Sequence, residues 1–329
     1  MSKGICIVAE QEDRRITSAF SELMTAAIGI KRVTEEPIQV VLAGTDCASL
    51  LPQFDGYPID EIYTVDLEEE GTFRDDMLAE IYADTLRRIA PGSVLIPASE
   101  TCRSVFPRVA WRLKTGLTAD CTGLDVEKRA DGTWFIRQMK PSFEENSLVY
   151  ISCKPGIYPQ MMTLREGVCE AFAPGKTVTP PQVRSERSVG RDSAIRVIET
   201  VSREASEDDM RDAEIVFAAG RGTLDGENFD LLKKVADRLG AAVGGTRPLM
   251  DCGLVPFENQ IGQTGSTIRP RIVVSFGVSG AIQHTEGIKN TNLFIAVNAD
   301  GDAPIFGTAD YGAVMKMEPV LEHLLKLLQ

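Results

Sequence analysis

Between Glu214 and Asn298 short apolar runs break off, one after another, into clusters of glycine and polar residues, and this repeated pattern constrains the fold more than any other feature of the chain. Glu214-Ile215-Val216-Phe217-Ala218-Ala219 opens into Gly220-Arg221-Gly222, and Ala241 to Val243 opens into Gly244-Gly245-Thr246-Arg247. Arg271 to Val278 opens into Ser279-Gly280-Ala281, and Leu293 to Val297 into Asn298. Short apolar runs bounded by turn residues read as buried strands. After the first, Asn228 to Leu239 sets Phe229, Leu232, Val235, Ala236 and Leu239 on one helical face, with Gly240 at the expected stop. Strands and helices in alternation build a parallel sheet covered on both faces. The carboxyl ends of its strands share one edge, where open α/β sheets bind ligands.

The residue types at that edge describe the ligand. Glycines let a backbone pass close to a bulky group, Thr, Ser, Gln and Asn supply hydrogen bonds, and Arg and His carry positive charge against phosphates or a reduced ring. In Gly262-Gln263-Thr264-Gly265 two glycines bracket two polar side chains, a pattern suited to cradling phosphate. His284 closes the loop Ser279-Gly280-Ala281-Ile282-Gln283-His284, whereas His323 lies in the amphipathic segment Met317 to Leu328 and reads as a solvated helix residue. A large, polar, partly anionic ligand is implied. The turn Gly220-Arg221-Gly222-Thr223-Leu224-Asp225-Gly226 misses the G-x-G-x-x-G fingerprint by one residue, so alone it reads as a tight turn.

The first part of the chain repeats the alternation. Gly4 to Ala9 reads as a core strand, Ile16 to Ile30 as a helix, Ile38 to Ala43 and Glu61 to Val65 as strands, Phe73 to Ile89 as a helix and Ser93 to Pro97 as a strand. Ser99-Glu100-Thr101 then opens a helix carrying Val105, Val109 and Leu113; Ser99 reads as its N-cap, with anion binding as the competing reading. The acidic run Asp66 to Glu70 reads as a solvated loop. Trp134 to Met139 and Ser147 to Ser152, with a turn at Asp131-Gly132, predict an antiparallel addition at the sheet edge. Asp120 and Asp125 lack a nearby His or Lys and read as turn-fixing residues. Pro174-Gly175 to Ala194 reads as a connecting arm and Ile195 to Val201 as β-like, which sets a boundary between domains 1–203 and 204–329.

Composition narrows the class. A chain of 329 residues with 43% apolar and 25% charged residues exceeds one usual domain and can bury a full core. Its formal charge of -13 argues against nucleic acid as the partner, since phosphate backbones are bound by clustered Lys and Arg. Seven cysteines without C-x-x-C spacing fit reduced thiols in small core or near-surface positions, and hence a cytoplasmic protein. No cleavable signal precedes the first strand, and no apolar run reaches the ~20 residues needed to span a bilayer. No Ser-His-Asp set, metal spacing or P-loop marks substrate chemistry.

Taken together, Gly220-Arg221-Gly222, Gly226-Glu227-Asn228-Phe229, Gly262-Gln263-Thr264-Gly265, Val278 to His284, Asn298, Ala303-Pro304-Ile305-Phe306 and Ala309-Asp310-Tyr311-Gly312 resemble the α subunit of the electron-transfer flavoproteins. Gly116 to Leu124 and Pro159-Gln160-Met161-Met162-Thr163 are similar to the same family. The resemblance implies an α/β fold of two parallel-sheet, Rossmann-like domains, the C-terminal one binding FAD and the N-terminal one meeting a β subunit in a heterodimer. It implies that Arg221, Thr246, Arg247, Ile261, Gly262, Gln263, Thr264, Gly265, Ser279, Gly280, Ala281, Ile282, Gln283, His284 and Asn298 touch FAD, with Lys316 and Met317 on the adenine side. The family's glycine-rich stretch after Pro141-Ser142-Phe143 is here Glu144-Glu145-Asn146, and its common Ser at Thr246 keeps its hydroxyl.

The implied function is an electron carrier without substrate chemistry of its own, serving acyl-CoA or related dehydrogenases, or one half of an NADH-dependent bifurcating complex. In it Arg247 supplies charge over the ring, Thr264 a hydrogen bond near the reactive nitrogen, His284 stabilisation at the pyrimidine end, and Arg221 a contact to phosphate or the ring's rim. A nicotinamide-dependent dehydrogenase is the alternative, but it wants the missing fingerprint and an acidic residue where Gly244-Gly245-Thr246-Arg247 stands. A nucleotide-binding assembly module is a third reading; it leaves Arg247 and His284 without a purpose.

Overall fold

The computed structural model describes residues 4–67, 74–141, 148–175, 179–187, 193–199, 210, 213–224, 226–288 and 291–328. The chain divides into two compact units, Met1–Val201 and Ser202–Gln329. The expected boundary at 203/204 lies outside the described residues, as do Glu68 to Glu70 and the Glu144-Glu145-Asn146 loop.

The first unit runs β1 (Ile5–Ala9), a small hairpin β2 (Gln11–Glu12) and β3 (Arg15–Ile16), α1 (Ala19–Thr34), β4 (Ile38–Gly44), α2 (Cys47–Leu50), β5 (Glu61–Asp66), α3 (Asp75–Ile89), β6 (Ser93–Pro97) and α4 (Glu100–Arg112). It continues with β7 (Leu117–Cys121), β8 (Gly123–Lys128), β9 (Trp134–Pro141), β10 (Leu148–Ile151), β11 (Gln160–Leu164) and β12 (Gln182–Arg187). Seven strands form one parallel sheet in the order β12-β5-β4-β1-β6-β11-β7. Because strand side chains alternate between faces, Ile5, Ile7 and Ala9 of β1 join Phe20, Leu23 and Met24 of α1, while Cys6 and Val8 join Leu78, Ile81, Val105 and Phe106 from α3 and α4. Apolar residues on both faces are what a helix-covered parallel sheet requires.

Several expectations change here. The antiparallel addition is a separate sheet, β10-β9-β8, and not an extension of the main one. The parallel sheet is instead widened by β11, β7 and β12. Of these, β12 lies inside the stretch expected to be a connector and pairs with β5 from Gln182↔Glu61 to Arg187↔Asp66. The segment expected to be β-like at Ile195 to Val201 carries no strand over its described residues, and Ile198 is 94% exposed. Asp120 and Asp125 sit in β7 and β8 and not in turns; Asp120 occurs at a bulge with φ of 58° and is held by Arg103 at 2.9 Å. Ser99 is the N-cap of α4, its hydroxyl accepting the Cys102 N–H at 3.1 Å.

The second unit runs β13 (Ile215–Ala219), α5 (Gly226–Leu239), β14 (Ala242–Gly245), α6 (Arg247–Asp251), β15 (Ile272–Phe276), α7 (Ile282–Thr285), β16 (Leu293–Asn298), β17 (Tyr311–Val314) and α8 (Met317–Leu327). Its five-stranded sheet is parallel throughout in the order β14-β13-β15-β16-β17. Phe217 and Phe276 pack on Phe229, Leu232 and Val235 of α5 and Leu321 of α8, while Val216, Val273 and Phe294 face Ile261, Ile268 and Ile288 on the other side. Leu232 and Leu321 are both fully buried, and burial of such a side chain contributes roughly 2 kcal/mol. All seven cysteines are free thiols: Cys6, Cys47, Cys102 and Cys121 are buried, Cys153 and Cys169 half-buried, and Cys252 exposed. Among the described residues no helix is long and apolar enough to cross a membrane.

Candidate functional site

The strand order of the second unit fixes where a ligand site belongs. From β13 the chain passes to β14 on one side and returns to β15 on the other, so the connections after β13 and β15 part company at a topological switch point. Glycines crowd this point, and the structure gives them an internal reason. A Cβ on Gly220 would lie 2.3 Å from the Gly277 carbonyl oxygen, and one on Gly222 would lie 3.0 Å from Gly277 Cα. Gly220 N–H donates to Phe276 O at 2.8 Å and Gly222 N–H to Gly277 O at 3.2 Å. These glycines therefore let two loops pack backbone on backbone, and the exposed side chain they present at the edge is Arg221.

Gly244 and Gly245 lie inside β14 and not in the loop after it. A Cβ at Gly244 would strike Ile261 Cδ1 and Met210 Sδ, each at 2.7 Å, so burial under those side chains excludes anything larger. The loop opens at Thr246, whose N–H donates to Ala219 O at 2.9 Å; its hydroxyl is buried and has no hydrogen-bond partner among the described residues. Arg247 follows with a side chain 67% exposed, in a weak i,i+4 pairing with Asp251 at 3.8 Å.

Two further loops close on each other beside this strand. Residues 260–266 are tied to β14 by Ile261 N–H to Gly245 O at 2.9 Å and closed on themselves by Ser266 N–H to Gln260 O at 2.7 Å. Gln263 N–H reaches across to Gln283 O at 2.6 Å. The contact leaves no room for side chains: a Cβ on Gly262, whose φ is +142°, would lie 2.4 Å from Gln283 O, and one on Gly287 would lie 2.6 Å from Gly262 N. Gln263 and Thr264 are thereby brought to the same junction as Gln283 and His284. Gly280, with φ of +90°, backs against Ile305 N, which donates to Ser279 O at 3.1 Å.

His284 is the most informative side chain of the junction. It is 6% exposed, and its Nδ1 stands 3.0 Å from the Ile261 carbonyl. A carbonyl only accepts, so Nδ1 carries the proton, and in the neutral ring Nε2 is left with a lone pair. Nε2 is buried and has no partner among the described residues. Burial lowers the pKa of His284, and its hydrogen bond to the Ile261 carbonyl opposes that shift. A buried polar atom without a partner costs free energy, so Nε2 of His284 and the Thr246 hydroxyl are groups that an incoming polar ligand would satisfy.

The remaining sequence-predicted residues fall as follows. Asn298 ends β16, donating from Nδ2 to Val278 O at 2.8 Å and accepting Asp300 N–H at 3.0 Å, so it fixes the loop beside Ser279. Ser279, Ala281 and Gln283 are exposed, Ile282 half-buried, and Lys316 exposed just before α8. Ile261 and Met317 are core side chains, 2% and 6% exposed, and packing accounts for both. Gly265 leans on Gln260, whose carbonyl oxygen a Cβ there would meet at 2.2 Å. Sequence reasoning passed over Gln260 and Gly287. Gln260 stands two residues before the Gly262-Gln263-Thr264-Gly265 loop and Gly287 three residues after His284, and that position is the sequence signal each offers.

A doubly wound parallel sheet whose carboxyl edge gathers arginines, amides, hydroxyls and an unsatisfied imidazole defines an α/β cofactor-binding protein, and the donor set suits a large polar dinucleotide. The model of the electron transfer flavoprotein domain matches residues 5–188, and that of the electron transfer flavoprotein FAD-binding domain matches residues 209–289. The electron transfer flavoprotein subunit alpha of Thermoanaerobacterium thermosaccharolyticum is 32% identical over 99% of this chain and 99% of its own length. The lactate dehydrogenase (NAD(+),ferredoxin) subunit LctC of Acetobacterium woodii is 31% identical over 99% of this chain and 77% of its own length. The acryloyl-CoA reductase electron transfer subunit beta of Anaerotignum propionicum is 31% identical over 98% of this chain and 96% of its own length. The chain belongs to the electron transfer flavoprotein α-subunit family, and the cofactor of its C-terminal domain is FAD.

Proposed function

We propose that this chain is the FAD-carrying half of a heterodimer with a β subunit, which the first unit contacts, and that it shuttles electrons between acyl-CoA or related dehydrogenases and a further acceptor. When bound, FAD supplies a ring that accepts and returns electrons. The chain's own part is to grip and orient the cofactor and to set the charge around it. Arg247, held loosely by Asp251, brings positive charge that favours added electrons by Coulomb attraction. Arg221 serves a phosphate or the ring's rim, with Lys316 on the adenine side. Thr246, Gln263, Thr264, Ser279, Gln283 and Asn298 provide hydrogen bonds at the edge, whose loops are held in shape by the close backbone contacts at Gly262, Gly265 and Gly280 and lined by Ala281, Ile282 and the backbones of Ile261 and Met317. His284 in its neutral form accepts a hydrogen bond at Nε2, and on taking up a proton there it donates one and opposes negative charge.

The observation that carries this reading is the pair of buried atoms without partners among the described residues, His284 Nε2 and Thr246 Oγ1, at the carboxyl edge of the doubly wound sheet. The relative named as an electron transfer subunit of acryloyl-CoA reductase supports an acyl-CoA enzyme as redox partner, and the relative whose name includes NAD(+) and ferredoxin supports a bifurcating complex as a second reading. Co-expression with the β subunit and a count of flavins per heterodimer tests both. One FAD fits the simple carrier and two fit the bifurcating complex; a colourless protein that takes up no FAD defeats the proposal.

A further inference from the structure

Thr264 is exposed at the tip of the 260–266 loop, and what its hydroxyl can do for a ligand depends on where its proton points. A hydroxyl has one donor and two acceptor positions, and left alone it rotates to suit its surroundings. Here it is not left alone. Gln260 is 3% exposed, and its side-chain Nε2 donates to Thr264 Oγ1 at 2.9 Å across the base of the loop. The Gln260 backbone is fixed at the same time, its N–H donating to Phe257 O at 3.1 Å and its carbonyl accepting from Ser266 at 2.7 Å. The amide is therefore anchored on the rigid side of the loop and reaches the mobile rotor from beneath.

We propose that Gln260 is a positioning residue which, by donating to Thr264, occupies an acceptor position of that hydroxyl and leaves its proton to be donated outward to an acceptor atom of FAD. The inference rests on the reading that the loop faces FAD. It goes further in assigning a direction to the hydrogen bond and a second residue that sets it. An isosteric change of the side chain from amide to carboxylate inverts the arrangement, because a carboxylate only accepts and draws the Thr264 proton inward. A protonated carboxyl group has a donor and can restore the original polarity.

The test uses the full-length protein loaded with FAD, with Gln260→Glu, Gln260→Met, Thr264→Val and the Gln260→Met/Thr264→Val double variant. Thermal unfolding first establishes that each is folded. FAD dissociation constants and the visible spectrum of the bound flavin are then read across pH. Thr264→Val and Gln260→Glu at neutral pH should bind FAD about three- to tenfold more weakly, the range for one lost hydrogen bond. Gln260→Glu should recover affinity and spectrum as the pH falls, while wild type shows no recovery in that window. Gln260→Met should have a smaller effect that vanishes in the Thr264→Val background, since a residue acting through Thr264 has nothing to add once that hydroxyl is gone. Additive losses, or a Gln260→Glu protein that matches wild type at every pH, would overturn the assignment. A wild-type protein that holds no FAD would instead overturn the reading beneath it, so the two failures are told apart.

Discussion

Replacing Gly262 by Ala tests whether the site is assembled by backbone contact between its two loops, and the structure supplies its own controls. At Gly262 a new Cβ meets two separate penalties: φ is +142°, and the Gln283 carbonyl oxygen lies 2.4 Å away. An unstrained carbon–oxygen contact needs about 3.3 Å, so that carbonyl must retreat by about 1 Å. It accepts the Gln263 N–H at 2.6 Å, and the retreat pulls on the hydrogen bond joining the loops. Gly240, with φ of +62° and nothing within 4 Å of the new atom, reads the penalty of a left-handed backbone alone, about 1–2 kcal/mol, which sets a lower bound for the penalty at φ of +142°. Gly220, which would meet Gly277 O at 2.3 Å from ordinary backbone geometry, isolates the steric one, about 1–3 kcal/mol for an overpacked contact. Gly262→Ala should cost roughly the sum, about 2–5 kcal/mol, and lower the melting temperature of the second unit by about 10 °C or more. Through displacement of Gln263 and His284 it should also weaken FAD binding at least tenfold, whereas Gly240→Ala keeps near-normal affinity. Differential scanning calorimetry and FAD titration read both quantities. If Gly262→Ala proves no costlier than Gly240→Ala and retains FAD as wild type does, the loops are not held as described.

Two other outcomes are expected. Arg247→Gln should lower the reduction potential of bound FAD and Arg247→Lys should largely preserve it, as measured by spectroelectrochemistry; an unchanged potential in the Gln variant removes Arg247 from that role. In the FAD-free protein the depressed pKa of His284 makes the unfolded chain the better proton acceptor, so its contribution to stability is present above the usual histidine range and is lost as the pH falls through the folded value. Melting temperature against pH should therefore decline on acidification more steeply than in His284→Gln, and parallel curves would contradict the buried, neutral ring.

How far the fold could be read from sequence depended on what each strand faces. β1, β4, β13, β15 and β16 are apolar on both faces because helices cover both, and they announce themselves as runs. β12, with Gln182, Arg184, Ser185 and Glu186, is an exposed edge strand whose composition matches a linker; only pairing with β5 makes it a strand. β11 is fully buried as Gln-Met-Met-Thr-Leu, yet it is short and carries polar residues, one of which, Gln160, accepts the Ile136 N–H through its side chain. The candidate site was legible to the same degree. Residues with distinctive chemistry at strand ends could be marked, but Gln260 looks like any loop glutamine until Thr264 is folded over it.

What the amino-acid order fixed by itself is local: where apolar periodicity builds a strand or helix, where glycine ends one, and hence that a row of polar clusters lines one edge of a parallel sheet. Tertiary structure alone decided which clusters meet. The junction of residues 260–266 with 281–287 depends on backbone approaches that glycine permits but does not direct, and the proton on His284 Nδ1 was assigned only when the Ile261 carbonyl came within 3.0 Å of it. The physical reason is range. Propensity and periodicity act over a few residues, while a hydrogen bond between loops more than twenty residues apart exists only after the sheet has folded and brought them together.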